Sequence, residues 1–366
     1  MLQFMLNKKT LTIILFLFLV LNMFAYQLGS SDVPYQTTPI KIADDVRYVG
    51  ANRYQTFIVK NDNSLWLSGE IDSSKVLPPS ETNLYKGFVK IFDNVKEIAV
   101  YDSSIMILTT DSKLYCLGEI PIKAHIGTYS YVELEYVKEP VYIDNDVKKI
   151  TVALNFFAYI KEDNSVYFFG KLNETKDGIT VTPKKLSCKA IDISHNIWTL
   201  LILTEKNELL STSDGVNFTK IATNVKKVSR DMFLKEDFTL YAFDLFYLPE
   251  CAETGSHGVK INDANTPELV MTDVKDMFFN SWHSLIIKTN GDLYSCGGFF
   301  SEKRPTEYSY LGFIGDGSQK PQFIPVKIAE DVIFCTASDF TTFFITEDGS
   351  LWGCGLNSYD ELLKIF

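Results

Sequence analysis

The side chains in this sequence that could do chemistry are four histidines, six cysteines and many carboxylates. The histidines share no spacing that would bring them to one metal ion; they are His125, His195, His257 and His283. The sequence contains no Cys-x-x-Cys, Gly-x-Ser-x-Gly or His-Glu-x-x-His motif, no P-loop and no dinucleotide fingerprint. We therefore predict no catalytic residue, no metal site and no cofactor, and we expect the protein not to be an enzyme.

One group of carboxylates recurs at the polar corner between two apolar runs: Asp62, Asp163, Asp292 and Asp348. A calcium loop of the EF-hand type needs alternating ligands that close on a glutamate at the twelfth position, and these corners lack that pattern. Asn, Asp and Gly are favoured in tight turns because they tolerate left-handed backbone. We interpret the recurring aspartates as turn residues.

The elements that carry these corners form a repeated unit, clearest at 283–297 and 340–355. An apolar run is followed by Asn-Gly or Asp-Gly, which is a strong hairpin signal, and then by a second run that ends in Gly. Seven copies occur, with closing glycines roughly 50 residues apart in the better copies. Runs that are apolar at successive positions indicate strands buried on both faces. The pattern predicts an all-β, seven-bladed β-propeller, with six blades as the alternative because the fourth and fifth copies are degenerate.

The two ends of the repeat array complement each other. The array begins with a lone Pro-x-Lys-Ile strand at 38–42 and stops soon after 351–355. We expect the N-terminal strand to complete the last blade, because an open sheet edge would favour aggregation. Three cysteines, Cys116, Cys296 and Cys354, fall in or beside the same strand of different copies. We predict free, mostly buried thiols, with one disulfide bond as the alternative.

The N-terminus is typical of an export segment. Lys8 and Lys9 precede an apolar stretch at 11–21, and no charged residue occurs from 10 to 31. We predict a signal peptide or an uncleaved signal-anchor transmembrane helix at 1–31, a linker at 32–37 and the propeller at 38–366. The exported body is then extracellular or on the cell surface, with a single-pass anchor if the segment stays uncleaved. The net charge of −11 and the lack of a basic block predict no nucleic-acid partner.

The copies resemble a known family. Gly-Phe-Ile-Gly-Asp-Gly-Ser at 312–318, Pro-Val-Lys-Ile-Ala-Glu-Asp-Val at 325–332 and Leu-Trp-Gly-Cys-Gly-Leu-Asn at 351–357 are similar to repeats of the regulator of chromosome condensation family. The resemblance covers about 38–366 and implies a seven-bladed propeller, with His283 in a structural role. It is nearest in style to exported bacterial members, some of which bind proteins. The nucleotide-exchange role of the eukaryotic namesake is not expected in an acidic, exported chain.

The connections between copies differ from one another, and in repeat folds such insertions often form the binding face. The long connections at 119–139 and 299–323 are rich in aromatic residues, which are common in interface hot spots. We predict that the following residues contact a protein partner: Tyr129, Tyr131, Tyr136, Phe299, Phe300, Arg304, Tyr308, Tyr310 and Phe313. The alternatives are a propeller that binds cell-wall carbohydrate, a propeller enzyme, and loops that only cover blade edges.

Overall fold

The computed structural model describes residues 35–52, 55–70, 84–126, 131–172, 178–196, 199–243, 267–280, 283–297 and 312–356. These ranges contain 28 β-strands in seven four-stranded antiparallel sheets and no α-helix. Accordingly, none of the described segments is a helix that could cross a membrane. The helix predicted within 1–31 lies outside the described residues. The prediction of a seven-bladed β-propeller is confirmed.

After the first strand, β1 (Tyr35–Ala43), consecutive strands form the blades in chain order. Blade one contains β2 (Val46–Ala51), β3 (Gln55–Lys60), β4 (Leu65–Glu70) and β5 (Leu84–Phe92). Blade two contains β6 (Val95–Tyr101), β7 (Ser104–Thr109), β8 (Leu114–His125) and β9 (Tyr131–Asp144). Blade three contains β10 (Val147–Val152), β11 (Phe156–Lys161), β12 (Ser165–Lys171) and β13 (Ile179–Lys189). Blade four contains β14 (Asp192–His195), β15 (Leu200–Leu203), β16 (Leu209–Thr212) and β17 (Thr219–Ala222).

The remaining blades follow the same order. Blade five contains β18 (Val225–Ser229), β19 (Met232–Lys235), β20 (Leu240–Ala242) and β21 (Glu268–Met271). Blade six contains β22 (Val274–Phe279), β23 (His283–Lys288), β24 (Leu293–Gly297) and β25 (Gln322–Ala329). Blade seven contains β26 (Val332–Ala337), β27 (Thr341–Thr346) and β28 (Leu351–Leu356), and β1 supplies its fourth strand.

The N-terminal strand closes the ring as predicted. β1 pairs antiparallel with β28, so that Tyr35 lies opposite Leu356 and Lys41 lies opposite Trp352. The segment that follows Gly312 also holds β1, because the backbone N–H of Gly317 donates to the carbonyl of Thr37 at 2.8 Å. Pairing with β1 covers the edge that β28 would otherwise expose.

Neighbouring blades are joined by one repeated backbone hydrogen bond. In each blade, the residue that begins the first strand (in blade four, the residue two positions before it) donates its backbone N–H to the β-hairpin corner of the preceding blade, at 2.9–3.0 Å. The seven donor–acceptor pairs are Val46–Gly349, Val95–Asn63, Val147–Ser112, Ala190–Asn164, Val225–Asn207, Val274–Phe238 and Val332–Gly291. The degenerate fourth and fifth copies keep this bond, so their altered sequences still form blades of the same ring.

The hydrophobic core lies between adjacent blades. In β7 every residue is buried, and Ile105 and Ile107 pack with Phe57 and Val59 of blade one. The continuous apolar runs are therefore buried on both faces, as predicted. The aromatic residues of the third strands also pack against these clusters, as expected for inter-blade packing; they are Trp66, Tyr115, Tyr167, Tyr241, Tyr294 and Trp352.

Four cysteines are free thiols, as predicted: Cys116, Cys188, Cys335 and Cys354. All of these except Cys188 are buried. Burial raises the pKa of the Cys188 thiol to about 11. Cys296 is disulfide-bonded, which agrees with the alternative of one disulfide bond at that position.

Candidate functional site

The ring has two different faces because all blades repeat one up-and-down topology. At the hairpin face lie the short corners between second and third strands, such as 61–64. At the opposite face, which we call the loop face, the third strand of each blade ends and the fourth begins, as at Glu70 and Leu84. The long connections predicted to bind a partner join strand ends that lie at the loop face. Six of the nine residues predicted to contact a partner are outside the described ranges: Tyr129, Phe299, Phe300, Arg304, Tyr308 and Tyr310.

Two of the predicted partner residues lie on a two-stranded ribbon at the loop face. β8 and β9 continue their pairing from Glu119–Tyr136 to His125–Tyr131. Tyr131 is 50% exposed, and its ring stacks on the His125 ring with centroids 4.3 Å apart. His125 Nε2 lies 3.2 Å from a carboxylate oxygen of Glu133. Tyr131 is thus an exposed aromatic side chain that its neighbours already hold in place.

Tyr136, at the base of the same ribbon, has a different environment. It is half-buried and packs against the cluster that contains Phe57 and Ile105. Its hydroxyl is buried and has no hydrogen-bond partner among the described residues, and burial raises the pKa of Tyr136 well above its usual range. Tyr136 therefore anchors the ribbon to the core of blades one and two, and its ring is only partly available to a partner.

Phe313 was predicted to contact a partner, and this prediction is wrong because its side chain is only 4% exposed. Its ring lies 4.8 Å from the His283 ring, and its carbonyl accepts a hydrogen bond from Thr342 Oγ1 at 2.6 Å. The same hydroxyl oxygen, Thr342 Oγ1, lies 2.8 Å from His283 Nε2. Burial lowers the pKa of His283 to about 3, so the imidazole is neutral. The structural role expected for His283 is confirmed.

A second group of functional candidates, which the sequence patterns did not reveal, lies on the propeller axis. In six of the seven blades, the pairing of the first two strands has a bulge just before the third residue of the first strand. A bulge re-aims the next side chain. The equivalent residues of all seven blades line the central cavity: Tyr48, Glu97, Lys149, Asp192, Lys227, Asp276 and Phe334.

Five of these residues form a ring of alternating charge. Lys149 Nζ lies 3.2 Å from Glu97 and 4.0 Å from Asp192, and Lys227 Nζ lies 2.5 Å from Asp276. Burial opposes the charged form of Lys149, but the carboxylates of Glu97 and Asp192 hold its pKa above the usual value. Burial raises the pKa of Asp192, and Lys149 and Lys227 offset only part of this effect.

An aromatic pair completes the ring between blades one and seven. The ring centroids of Tyr48 and Phe334 are 4.7 Å apart. Burial and the nearby Glu97 and Asp276 carboxylates raise the pKa of Tyr48 well above its usual value. We call these seven side chains the axial floor. In the sequence, each of these residues lies two positions after a Val or Ala that directly follows a turn. This pattern can be recognised only after the blades have been aligned.

The axial floor bounds a central cavity of about 570 Å³. Hydroxyl groups of Thr151, Ser194, Ser229 and Thr336 line its middle, and the residues at the loop-face ends of the inner strands form its mouth. Thr151 Oγ1 lies 2.9 Å from His195 Nδ1, and burial, with a smaller effect of Arg230, lowers the pKa of His195 to about 3. Such a volume and a polar lining are typical of small-molecule sites.

Two of the axial carboxylates are paired with lysines: Glu97 lies 3.2 Å from Lys149 Nζ, and Asp276 lies 2.5 Å from Lys227 Nζ. In the described part of the chain, no group of three or more His, Cys, Asp or Glu residues could hold a metal ion.

Comparison with protein families gives a match to the regulator of chromosome condensation (RCC1) repeat at residues 336–361. The resemblance to RCC1 repeats is confirmed for this segment, which contains β27 and β28 of blade seven. By sequence, no protein with a curated description matches the chain.

Solved structures share the RCC1-type fold at low sequence identity. Prp20p from Saccharomyces cerevisiae is 14% identical, with a TM-score of 0.62 over 94% of this chain and 95% of that chain. Human WBSCR16 is 12% identical, with a TM-score of 0.63 over 91% of this chain and 94% of that chain. The yeast RCC1 (Prp20) bound to Kap60 is 14% identical, with a TM-score of 0.63 over 86% and 81%. At these identities the likeness shows the fold alone.

Proposed function

We propose that this RCC1-type propeller is a non-enzymatic, exported or membrane-anchored protein that binds another protein through its loop face. The observation that carries the proposal is the β8–β9 ribbon. It presents the pre-ordered ring of Tyr131 and, at strand positions that alternate with the Tyr131–His125 pair, the apolar side chains of Ile122, Ile126 and Leu134, each more than 40% exposed. Clustered exposed apolar groups are typical of interaction sites.

The composition of the ribbon favours a protein over a glycan as the partner. Tyrosine is enriched in protein interface hot spots, and Tyr131 is an exposed tyrosine of this ribbon. The structure of Prp20p was described together with its binding to Gsp1p and histones, so a propeller of this fold can bind proteins. That precedent supports a protein partner here but does not identify it.

The export part of the proposal rests on the sequence at 1–31. Lys8 and Lys9 precede an uncharged segment that is long enough to cross a bilayer. A reporter enzyme that works only after export should be active when it is fused after Phe366. If a reporter that works only in the cytoplasm is active instead, the body is not exported.

Two tyrosines of the same strand provide a matched test of the binding surface. Tyr131 is 50% exposed at the loop-face end of β9, and Tyr142 is 52% exposed near the other end. We expect Tyr131→Ala to weaken partner capture from native surface extracts by about 2 kcal/mol, or roughly thirtyfold. Tyr142→Ala should leave it unchanged. Both variants should lose less than about 0.5 kcal/mol of folding stability.

Three results would contradict the proposal. Equal capture by wild type and the Tyr131→Ala variant would place the site elsewhere. An equal loss with Tyr142→Ala would point to a general effect on the strand. Retention of the wild-type body on a glycan array, without any captured protein, would favour the carbohydrate alternative.

A further inference from the structure

The central cavity carries an excess of negative charge. The axial floor has three carboxylates, Glu97, Asp192 and Asp276, and only two ammonium groups, Lys149 and Lys227. The rest of the lining adds two carboxylates, Asp102 and Asp339, and one guanidinium, Arg230. His195 is neutral, because burial lowers its pKa to about 3. The described residues that line the cavity therefore include five carboxylates and three basic groups, and a charged cleft of this kind concentrates ions of the opposite sign.

Asp192 is the floor carboxylate with the weakest pairing. Its oxygen lies 4.0 Å from Lys149 Nζ, whereas the Glu97–Lys149 and Asp276–Lys227 distances are 3.2 Å and 2.5 Å. The side chain of Asp192 is only 17% exposed; Oδ1 accepts a hydrogen bond from the Ile193 N–H at 3.0 Å, and the Val228 N–H and the more distant Lys227 ammonium also stabilise the carboxylate. A carboxylate that is withdrawn from water is stabilised by an opposite charge placed directly beside it.

The aromatic pair lies on the opposite side of the axis from Asp192. Tyr48 belongs to blade one and Phe334 to blade seven, and in a closed ring of seven blades blade four lies across from their junction. The faces of aromatic rings attract cations, and a carboxylate opposite them adds a direct charge contact. The four hydroxyl groups above the floor can bind a polar group attached to the cation.

We propose that the central cavity binds a small organic cation, a primary or quaternary ammonium compound with a polar substituent. Its ammonium group lies at the axial floor between Asp192 and the Tyr48–Phe334 pair, and its polar group lies among the hydroxyls of Thr151, Ser194, Ser229 and Thr336. The ligand enters from the loop face. This site is separate from the ribbon surface, and its occupancy does not require a protein partner.

Calorimetric titration of the exported body tests the ligand class without any variant. The probes are choline, ethanolamine and 3,3-dimethylbutan-1-ol, which has the shape of choline without its charge. We expect at least one ammonium probe to bind at millimolar or lower concentration and the neutral alcohol to bind at least about tenfold more weakly. If neither ammonium probe binds, or if the alcohol binds as well as choline, the proposal is overturned.

Variants then test the position of the charge. Asp192→Asn keeps the shape of the side chain and should weaken ammonium binding about tenfold or more, because it removes a charge-assisted contact. Asp93→Asn makes the same charge change at an exposed turn outside the cavity and should have no effect. Lys227→Met leaves Asp276 without its ammonium partner and should strengthen binding.

The opposite signs expected for Asp192→Asn and Lys227→Met separate binding from a general structural effect. Circular dichroism establishes which variants are folded. If Asp192→Asn is folded and binds choline like wild type, the floor is not the cation site. If Asp192→Asn does not fold, Lys227→Met decides alone: stronger ammonium binding supports the proposal, and unchanged or weaker binding overturns it.

Discussion

Replacing Ile42 by Ala tests whether the N-terminal strand is an integral part of the ring. Ile42 is 1% exposed and packs with Val49 and Ile58 of blade one and with Phe343 and Leu351 of blade seven. Its side chain thus fills the junction at which the chain closes on itself. Truncating a fully buried Ile to Ala usually costs about 2–5 kcal/mol, because apolar contacts are lost and a cavity remains. We expect Ile42→Ala to lower the free energy of unfolding by an amount in that range.

Two other isoleucines provide matched controls for this variant. Ile328 has the equivalent place in the Pro-x-Lys-Ile-Ala segment of β25, where no ring closure is involved, and it is partly buried. Ile324, on the same strand, is 56% exposed. Chemical denaturation should show that Ile42→Ala costs at least as much as Ile328→Ala, and that Ile324→Ala costs less than about 0.5 kcal/mol.

Closure of the ring by β1 is refuted if Ile42→Ala unfolds at the same denaturant concentration as wild type. That result would mean that β1 is detached in solution, so that truncation of its side chain removes no contact. Deleting 35–43 gives a second measurement. The exposed edge of β28 should then cause concentration-dependent association, visible by size-exclusion chromatography. A chain that starts at 35 retains β1 and should show the same association state as wild type.

Gly118→Ala should lower stability by at least about 2 kcal/mol, since φ is +85° and an added Cβ would lie 1.9 Å from the carbonyl oxygen of Ser103. Gly87→Ala, at φ +98° with no atom within 4 Å, should cost less, and equal thermal melts of the two would show that the clash is unimportant. The free energy of unfolding should fall as the pH drops from about 6.5 to 5, by about 1.4 kcal/mol per pH unit for each buried histidine. The reason is that the pKa values of His195 and His283 are lowered to about 3 in the folded protein, so that the unfolded chain binds the proton first. The His283→Gln variant should show a flatter pH profile of unfolding free energy over this window, and an unchanged profile would mean that His283 is charged in the folded protein.

The architecture was predictable from local patterns in the sequence, because the signals for a propeller recur in every well-formed copy. Turn residues such as Asn63 and Gly291 adopt positive φ at the hairpin corners where the repeat predicted them. Apolar runs such as Leu200–Leu203 are buried on both faces, although their copy lacks the closing glycine. A shared period, read over several copies, was enough to predict seven blades and a closing N-terminal strand.

Which residues share a site depends on how the blades and connections pack in three dimensions. Phe313 lies in an aromatic-rich connection, yet its ring is buried against His283, because exposure depends on how the segment after Gly312 folds over blade seven. The axial floor was not predictable, since Glu97, Lys149 and Asp276 are far apart in sequence and meet only when the ring closes. Local patterns determine the alternation along each strand, but the bulges and the sevenfold closure determine which of those side chains meet on the axis.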